Sequence, residues 1–413
     1  MSWNFEVNSI LAVGLFVVIG LLGGFAAKKL KVPTISGYII IGICISLLNI
    51  VPRELIDGEL NIITDVSLGV IGYLVGGGLY LKKLKKFGKN IAVITPFEAL
   101  GAWIFVTIPI AFLGPFIIRV GDPSLSSYHS FLPMAIVLGA ISCATAPAAT
   151  LAIIREYRAG GSFTTTLLAI IVLDDAIAVI AYAVGSNVAE SLMGGFQSIS
   201  LYNMLLLPAV DIIGSIILGA ILGFVLAYVS RFIKKRPQLL AMVLGTIFLC
   251  IGLTKALGIS SIMANMTMGF VIVNKIRDNE DMFGVINNIE NVIFAMFFTL
   301  AGAHFDLGVI KTAGILGAAL VVFRFIGKFI GVNVGASFSH AQPAIKKYLS
   351  FGLFPIAGVT IGLAMLIKQH DAFSSMSSIM VNGILASVII NEIIAPPLTK
   401  YAIFKSGDAF KKD

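Results

Sequence analysis

Apolar runs of roughly 20 residues follow one another along this chain from end to end, with short links between them. In order they occupy 8–27, 34–51, 62–81, 91–115, 130–153, 163–186, 204–229, 238–257, 259–274, 284–302, 309–336, 348–368 and 377–401. Coiled as α-helices, runs of this length match the hydrocarbon thickness of a bilayer. Lipid offers the backbone no hydrogen-bond partners, so each run must satisfy its own amides as a helix. Charge is scarce, at 12% of residues, whereas a soluble domain carries about 25%. The reading is an all-α polytopic membrane protein with about 13 transmembrane helices. The start, MSWNFEVNSILAVGLF, lacks a basic stretch ahead of its first apolar run, which therefore reads as a span and not as a signal peptide. Cys44, Cys143 and Cys250 all fall inside apolar runs, where they read as small packing residues with neither disulfide nor metal spacing.

Lysine and arginine fix an orientation. With the N-terminus outside, 22 of the 29 fall on cytoplasmic links, five on outer links, and Arg324 and Lys328 lie within a run. That is the bias of the positive-inside rule. The net charge of +8 therefore reports topology and implies no nucleic-acid partner.

Against this background IIVLDDAIAVIAY, residues 170–182, stands out, because Asp174 and Asp175 sit side by side at the middle of a run. Each carboxylate placed there costs on the order of 2.5–3.5 kcal/mol. Successive helical residues point about 100° apart, so one aspartate can face a cavity while the other meets a neighbouring helix. The natural partner is a cation. VVFRFIGKFIGVNVG supplies two, Arg324 and Lys328, four residues apart on one helix face, and either could pair with an aspartate. Burial disfavours an ionised carboxylate and a nearby cation favours it. Such a group can hold a proton or yield it to a small cation that prefers oxygen ligands. Competition for one carboxylate is an exchange mechanism, provided the site faces one side at a time.

Two further patterns surround the pair. YLVGGGLYL from Tyr73 and FTLAGAHFD from Phe298 align through Gly77 and Gly302, and ISGYIIIGI corresponds loosely to ISSIMANMTMGF. The shift is seven runs, an odd number, so the two halves would be inverted, as in many secondary transporters. Run 5 also contains ISCATAPAAT, where Pro147 removes a backbone donor and disturbs the carbonyl of Cys143, with the Thr145 and Thr150 hydroxyls nearby. Seven runs later FGLFPIAGVTIGLA mixes Pro355 with Gly352, Gly358 and Gly362. Irregular backbone at such depth belongs where it is buried in protein or lines a wet cavity. Two broken helices are expected.

Together LDDA, ATAPAAT, KVPTISGYIIIGI and GKFIGV resemble the monovalent cation:proton antiporters, most closely the second branch, of NapA and GerN type. The resemblance spans essentially the whole chain and implies the NhaA/NapA-like fold. It implies residues 1–403 as one transporter unit, with runs 1–3 and 8–10 for dimerisation, run 7 as linker and 404–413 as a cytoplasmic tail. Runs 4–6 and 11–13 would form a core that moves elevator-like, with Pro147, Pro355 and Gly358 at its helix breaks. It implies Asp175 as the principal ion and proton carboxylate, and Asp174 as its neighbour, paired with Lys328 when no sodium is bound. Thr145 would add oxygen at the helix break. The expected activity is sodium–proton exchange across the cell membrane, with potassium or lithium as other possible cargo, no cofactor and a homodimeric assembly. Paired aspartates with a lysine resemble the electrogenic members, while electroneutral relatives use an arginine in this region, as Arg324 would allow. Related potassium-efflux systems carry a glutamine before the aspartate and a nucleotide-binding domain, neither of which this sequence shows.

The remaining ionisable residues read as less involved. Glu98 and Glu290 lie near the cytoplasmic ends of their runs, where solvation is the simpler reading. Glu392, well inside its run, reads either as a gating or core-domain residue or as a satisfied carboxyl facing a wet cavity or loop. His129, His304, His340 and His370 read as isolated surface histidines. An intramembrane aspartyl protease would need aspartates on different helices, and adjacent residues cannot meet that geometry, so no enzyme is expected. A channel would show filter loops or charge rings. A sodium-coupled symporter of an organic solute is the runner-up, but the small aliphatic surroundings of LDDAIAVIA offer such a solute little.

Overall fold

The computed structural model describes residues 7–30, 34–82, 88–118, 128–146, 150, 153–154, 157–193, 207–233, 235–276, 280–304, 310–356 and 358–409. Its first helices are α1 (Ser9–Lys29), α2 (Thr34–Leu47), a short α3 (Arg53–Asp57), α4 (Asn61–Gly78) and α5 (Gly88–Ile118). Then come α6 (Tyr128–Ile141), α7 (Ser162–Met193), α8 (Leu207–Val229), α9 (Arg236–Leu257) and α10 (Ser261–Lys275). The last are α11 (Glu280–Ala303), α12 (Ile310–Phe338), α13 (Pro343–Gly352), α14 (Gly358–Gln369) and α15 (Ser377–Ser406). Local chemistry sets several ends. The Asn8 side chain accepts the Leu11 amide at the start of α1, and Ser260 does the same for Met263 at α10. Gly258 closes α9 in the left-handed conformation, at φ 66°.

Each of the thirteen runs contains helix, but the described residues hold eight helices long and apolar enough to cross a membrane singly. A ninth is a pair, Asp281–Asn287 and Ile289–Ala303, bent by 49°. The shortfall has local causes. Helices α2 and α10 are only 14 and 15 residues long, and runs 5 and 12 are interrupted. In the first, α6 stops at Ile141; in the second, α13 stops at Gly352 and α14 restarts at Gly358.

The helices sort by contact into two groups. Helices α1, α2, α4, α9, α10 and α11 pack on one another, with α8 against α10. Helices α5, α6, α7, α12, α13, α14 and α15 form the second group, whose most extensive pairing is α5 with α12. These two approach so closely at Gly101 and Gly327 that a Cβ on either would collide with the carbonyl oxygen of the other. The first group has two comparable crossings. Gly42 of α2 abuts Gly302 of α11, and Gly269 of α10 abuts Gly77 of α4. Large apolar side chains such as Leu22, Phe25, Ile217 and Phe224 point outward from α1 and α8, the surface expected of a protein solvated by lipid.

Candidate ion-binding site

The breaks in runs 5 and 12 meet. The Ala146 amide donates to the Pro355 carbonyl at 2.8 Å, and the Thr150 hydroxyl donates to the Gly352 carbonyl at 3.2 Å. Two helix C-termini, those of α6 and α13, thus bring unpaired carbonyls together, each end carrying roughly half a negative charge. Arg324 of α12 answers both. Its guanidinium donates to the carbonyls of Ser142 (2.9 Å), Ala144 (2.7 Å), Phe354 (2.8 Å) and Leu353 (3.2 Å). A fork of five fixed donors suits this task, whereas an ammonium could not span it. Arg324 also reaches the Thr145 hydroxyl, at 3.4 Å. No hydrogen bond or ion pair joins it to either aspartate among the described contacts.

Lys328, one turn further along α12, faces the carboxylates. Its Nζ lies 3.2 Å from Asp174 Oδ2, 2.9 Å from Thr145 Oγ1 and 3.0 Å from the Cys143 carbonyl, and it pairs with Glu98 as well. An ammonium has three protons, so these four acceptors share it. Thr145 donates to Asp174 Oδ2 at 2.7 Å, which makes the hydroxyl the hub between lysine and aspartate. Asp174, Glu98, Thr145, Lys328 and Arg324 are all fully or almost fully buried. Asp174 Oδ1 and Glu98 Oε2 have no hydrogen-bond partner among the described residues.

Asp175 sits differently. It is 7% exposed and lines a cavity of about 340 Å³, together with Ile71 and Leu74 of α4, Phe294 and Phe298 of α11, and Gly358 and Thr360 of α14. Glu290, half-buried, lines the same cavity. The two adjacent aspartates therefore diverge, one into the lysine cluster and one toward a cavity between the two helix groups. Fully ionised, the buried cluster carries three carboxylates (Glu98, Asp174 and Asp175) against two cations (Lys328 and Arg324). It is one positive charge short of neutral. One proton or one monovalent cation would supply it.

Residues 14–401 match the family described as sodium/hydrogen exchanger, transmembrane. The chain belongs to that family. A curated relative is the Na(+)/H(+) antiporter 1 of Methanocaldococcus jannaschii, 23% identical over 406 residues, which cover 92% of this chain and 89% of the relative. Among solved structures, the fold is similar to the sodium proton antiporter MjNhaP1 of the same organism at pH 8. There the TM-score is 0.77 at 19% identity, covering 96% of this chain and 98% of that one. An electron-microscopy structure of MjNhaP1 gives a TM-score of 0.72 at 19% identity, covering 98% and 99%. This exchanger-family chain is thus a helical membrane transport protein.

Of the residues singled out from sequence, Asp174, Lys328 and Thr145 come into direct contact. Asp175 and Gly358 meet at the cavity, Pro355 lies at the crossing, and Pro147 falls outside the described residues. Arg324, the alternative partner for the aspartates, is occupied by carbonyls instead. Glu98 corrects its sequence reading: it is not solvated but fully buried on Lys328. Helix α5 begins at Gly88, so Glu98 lies about 15 Å into it at 1.5 Å per residue. The apolar run begins only at Ile91, seven residues before Glu98, and nothing in the sequence pairs Glu98 with Lys328. Glu392 is likewise buried, with Oε2 unpartnered among the described residues. His304 is buried at the end of α11, against its surface reading; His340 is exposed and His370 half-buried. The side chain of His129 lies outside the described residues.

Proposed function

We propose that the chain exchanges sodium ions for protons across the cell membrane by alternating access, with cation and proton competing for Asp175. One observation carries this reading: Asp175 lines the cavity while belonging to a buried cluster that lacks one positive charge. Either a proton or a sodium ion neutralises it, and both together would leave it one charge in excess. Competition follows from charge alone. Asp174, held by Thr145 and Lys328, is the neighbouring carboxylate that cation binding would loosen from its lysine. The apolar cavity lining offers an organic solute little to bind, which disfavours a symporter.

The remaining parts of the reading belong with it. Thirteen membrane crossings, N-terminus outside, make the Asp175 cavity open toward the cytoplasm. An inverted repeat is supported by the crossings at Gly42–Gly302 and Gly269–Gly77, which interchange under a shift of seven runs, and by Gly101 and Gly327, which face each other. The first helix group, with α8 as linker, would be the homodimerising frame and the second the elevator-like core. The second-branch assignment rests on LDDA, ATAPAAT, KVPTISGYIIIGI and GKFIGV, while the structural relatives carry the NhaP name.

The test is purified protein in proteoliposomes with a pH-sensitive dye, adding sodium, lithium and potassium in turn. Sodium-driven proton movement by the wild type, absent from Asp175→Asn, is expected. Proton movement that no monovalent cation elicits would overturn the proposal.

A further inference from the structure

The helices that line the Asp175 cavity also close it at its far end. Helix α4 contributes Ile71 and Leu74 to the cavity, and one turn earlier its Leu68 packs on Gly362 of α14, where a Cβ would collide with the leucine. Beyond that apolar seal lies a second cavity of about 590 Å³, lined by Leu68, Asp65, Tyr182, Ser186, Glu190 and Lys255 among others, and not by Asp175. Helix α14 runs from Gly358 at the Asp175 cavity to its last turn beside this second one. There Lys368 Nζ pairs with Asp57 Oδ1 at 2.6 Å. Asp57 ends α3, in the link between α2 and α4, so the pair ties the second helix group to the first. His304, at the end of α11, flanks it: Nε2 lies 3.5 Å from Asp57 Oδ1, and Nδ1 lies 2.9 Å from the Leu300 carbonyl, which fixes the ring. Arg53 lies on the same short helix as Asp57.

We infer that Asp57 and Lys368 form a latch that holds the far side shut while Asp175 faces its cavity. The inference rests on the alternating-access reading above. Separating α14 from α4 to open a path from the second cavity moves Lys368 away from Asp57, because Lys368 is on α14 and Asp57 ends α3, which Asn61 of α4 holds by donating to the Asp57 carbonyl at 2.9 Å. The pair is partly exposed, with side chains 25% and 47% accessible. It therefore biases the equilibrium modestly and can reform in every cycle, whereas a buried pair would lock it.

The experiment reads accessibility directly. Val179 is buried on α7, one turn from Asp175 toward Tyr182 and Ala183, which line the second cavity. In a Cys44→Ala background, Val179→Cys is labelled with a membrane-impermeant thiol reagent added from the N-terminal side of oriented vesicles, with the Cys44→Ala parent as blank. Asp57→Asn and Lys368→Met are each expected to speed labelling about two- to fivefold, the range for a partly exposed pair. Asp57→Glu, which keeps the charge, is expected to label at the parent rate. Unchanged labelling in both Asp57→Asn and Lys368→Met overturns the latch. Labelling needs no ion flux, so the latch can fail while Asp175→Asn still abolishes exchange, and the exchange proposal can fail while labelling still reports on the latch.

Discussion

Arg324 and Lys328 stand one turn apart on α12, both buried, both cationic and both beside Thr145, yet their surroundings differ in kind. The arginine is met by carbonyls from two broken helices. The lysine is met by two carboxylates. A carbonyl cannot take up a proton, so the arginine's environment is fixed and its role is to hold the crossing in shape. A carboxylate can, so the lysine's environment changes charge with whatever is bound. Scaffold and proposed exchange centre are separated by a single helical turn.

The sharpest division between them is expected at Asp175, on the exchange side. Asp175→Asn keeps the size and polarity of the side chain but cannot cycle a proton. Sodium-driven proton flux should vanish, while the melting temperature of the purified protein stays near that of the wild type. Retained flux would move the exchange centre elsewhere.

On the scaffold side the effect should appear in stability. Arg324→Leu leaves at least four carbonyls without their donor, and unsatisfied buried groups cost about 1–3 kcal/mol each. A loss of at least ~4 kcal/mol is expected in denaturant unfolding. A loss below ~1 kcal/mol would mean that those carbonyls do not depend on Arg324.

Lys328→Ala should cost less, and in a different way. Removing one partner of a buried pair commonly costs about 3–5 kcal/mol, but here Glu98 or Asp174 can take up a proton instead of remaining charged. The loss should shrink as pH falls, because protonation removes the uncompensated charge. Adding Glu98→Gln or Asp174→Asn to Lys328→Ala should each recover part of the stability. Recovery with Asp174→Asn alone would remove Glu98 from the cluster.

What was legible in the sequence follows the same division. Asp174 and Asp175 could be found because two charges interrupt an apolar run at its middle, and Arg324 and Lys328 as the two cations of another run that could answer them, the family resemblance alone favouring the lysine. The helix breaks were legible from Pro355 and from the glycines and threonines around it. Glu98 was hidden by its distance from the apparent start of its run, since apolar runs mark helix ends only to within a few residues. The cavity was hidden more deeply: Phe294, Phe298 and Leu74 line it, and an apolar residue beside an empty space looks the same in sequence as one beside another side chain. Arg324 was visible as a cation, but its carbonyl partners come from two segments some 210 residues apart, as Ala144 and Leu353 are, and only the fold brings them together.

The smallest expected effect is a response to voltage, and it depends on Glu98. The aspartate pair and its lysine resemble the electrogenic members, and if Lys328 gave up a proton in the cycle, as lysine does more readily than arginine when desolvated, exchange would move net charge. Glu98 alters that count. With three carboxylates and two cations, the cluster is neutral with one proton on Asp175 and neutral again with one sodium ion in its place. On the proposed mechanism Lys328 stays paired in both states, with Asp174 and Glu98 before the sodium ion arrives and with Glu98 after it. One sodium ion then exchanges for one proton, and no net charge crosses the membrane. Sodium-driven proton flux in proteoliposomes should therefore be the same with and without a valinomycin-clamped potential. Glu98→Gln leaves two carboxylates and two cations, so the sodium-bound cluster is neutral only if Lys328 releases its proton. That variant would then exchange sodium for the lysine's proton, still one for one, and adding Lys328→Arg, which cannot release its proton, should abolish the exchange. A wild-type flux that an inside-negative potential accelerates would show that Glu98 does not hold the lysine's charge, and the contrast between the two cations would then lie in their protonation as well as in their partners.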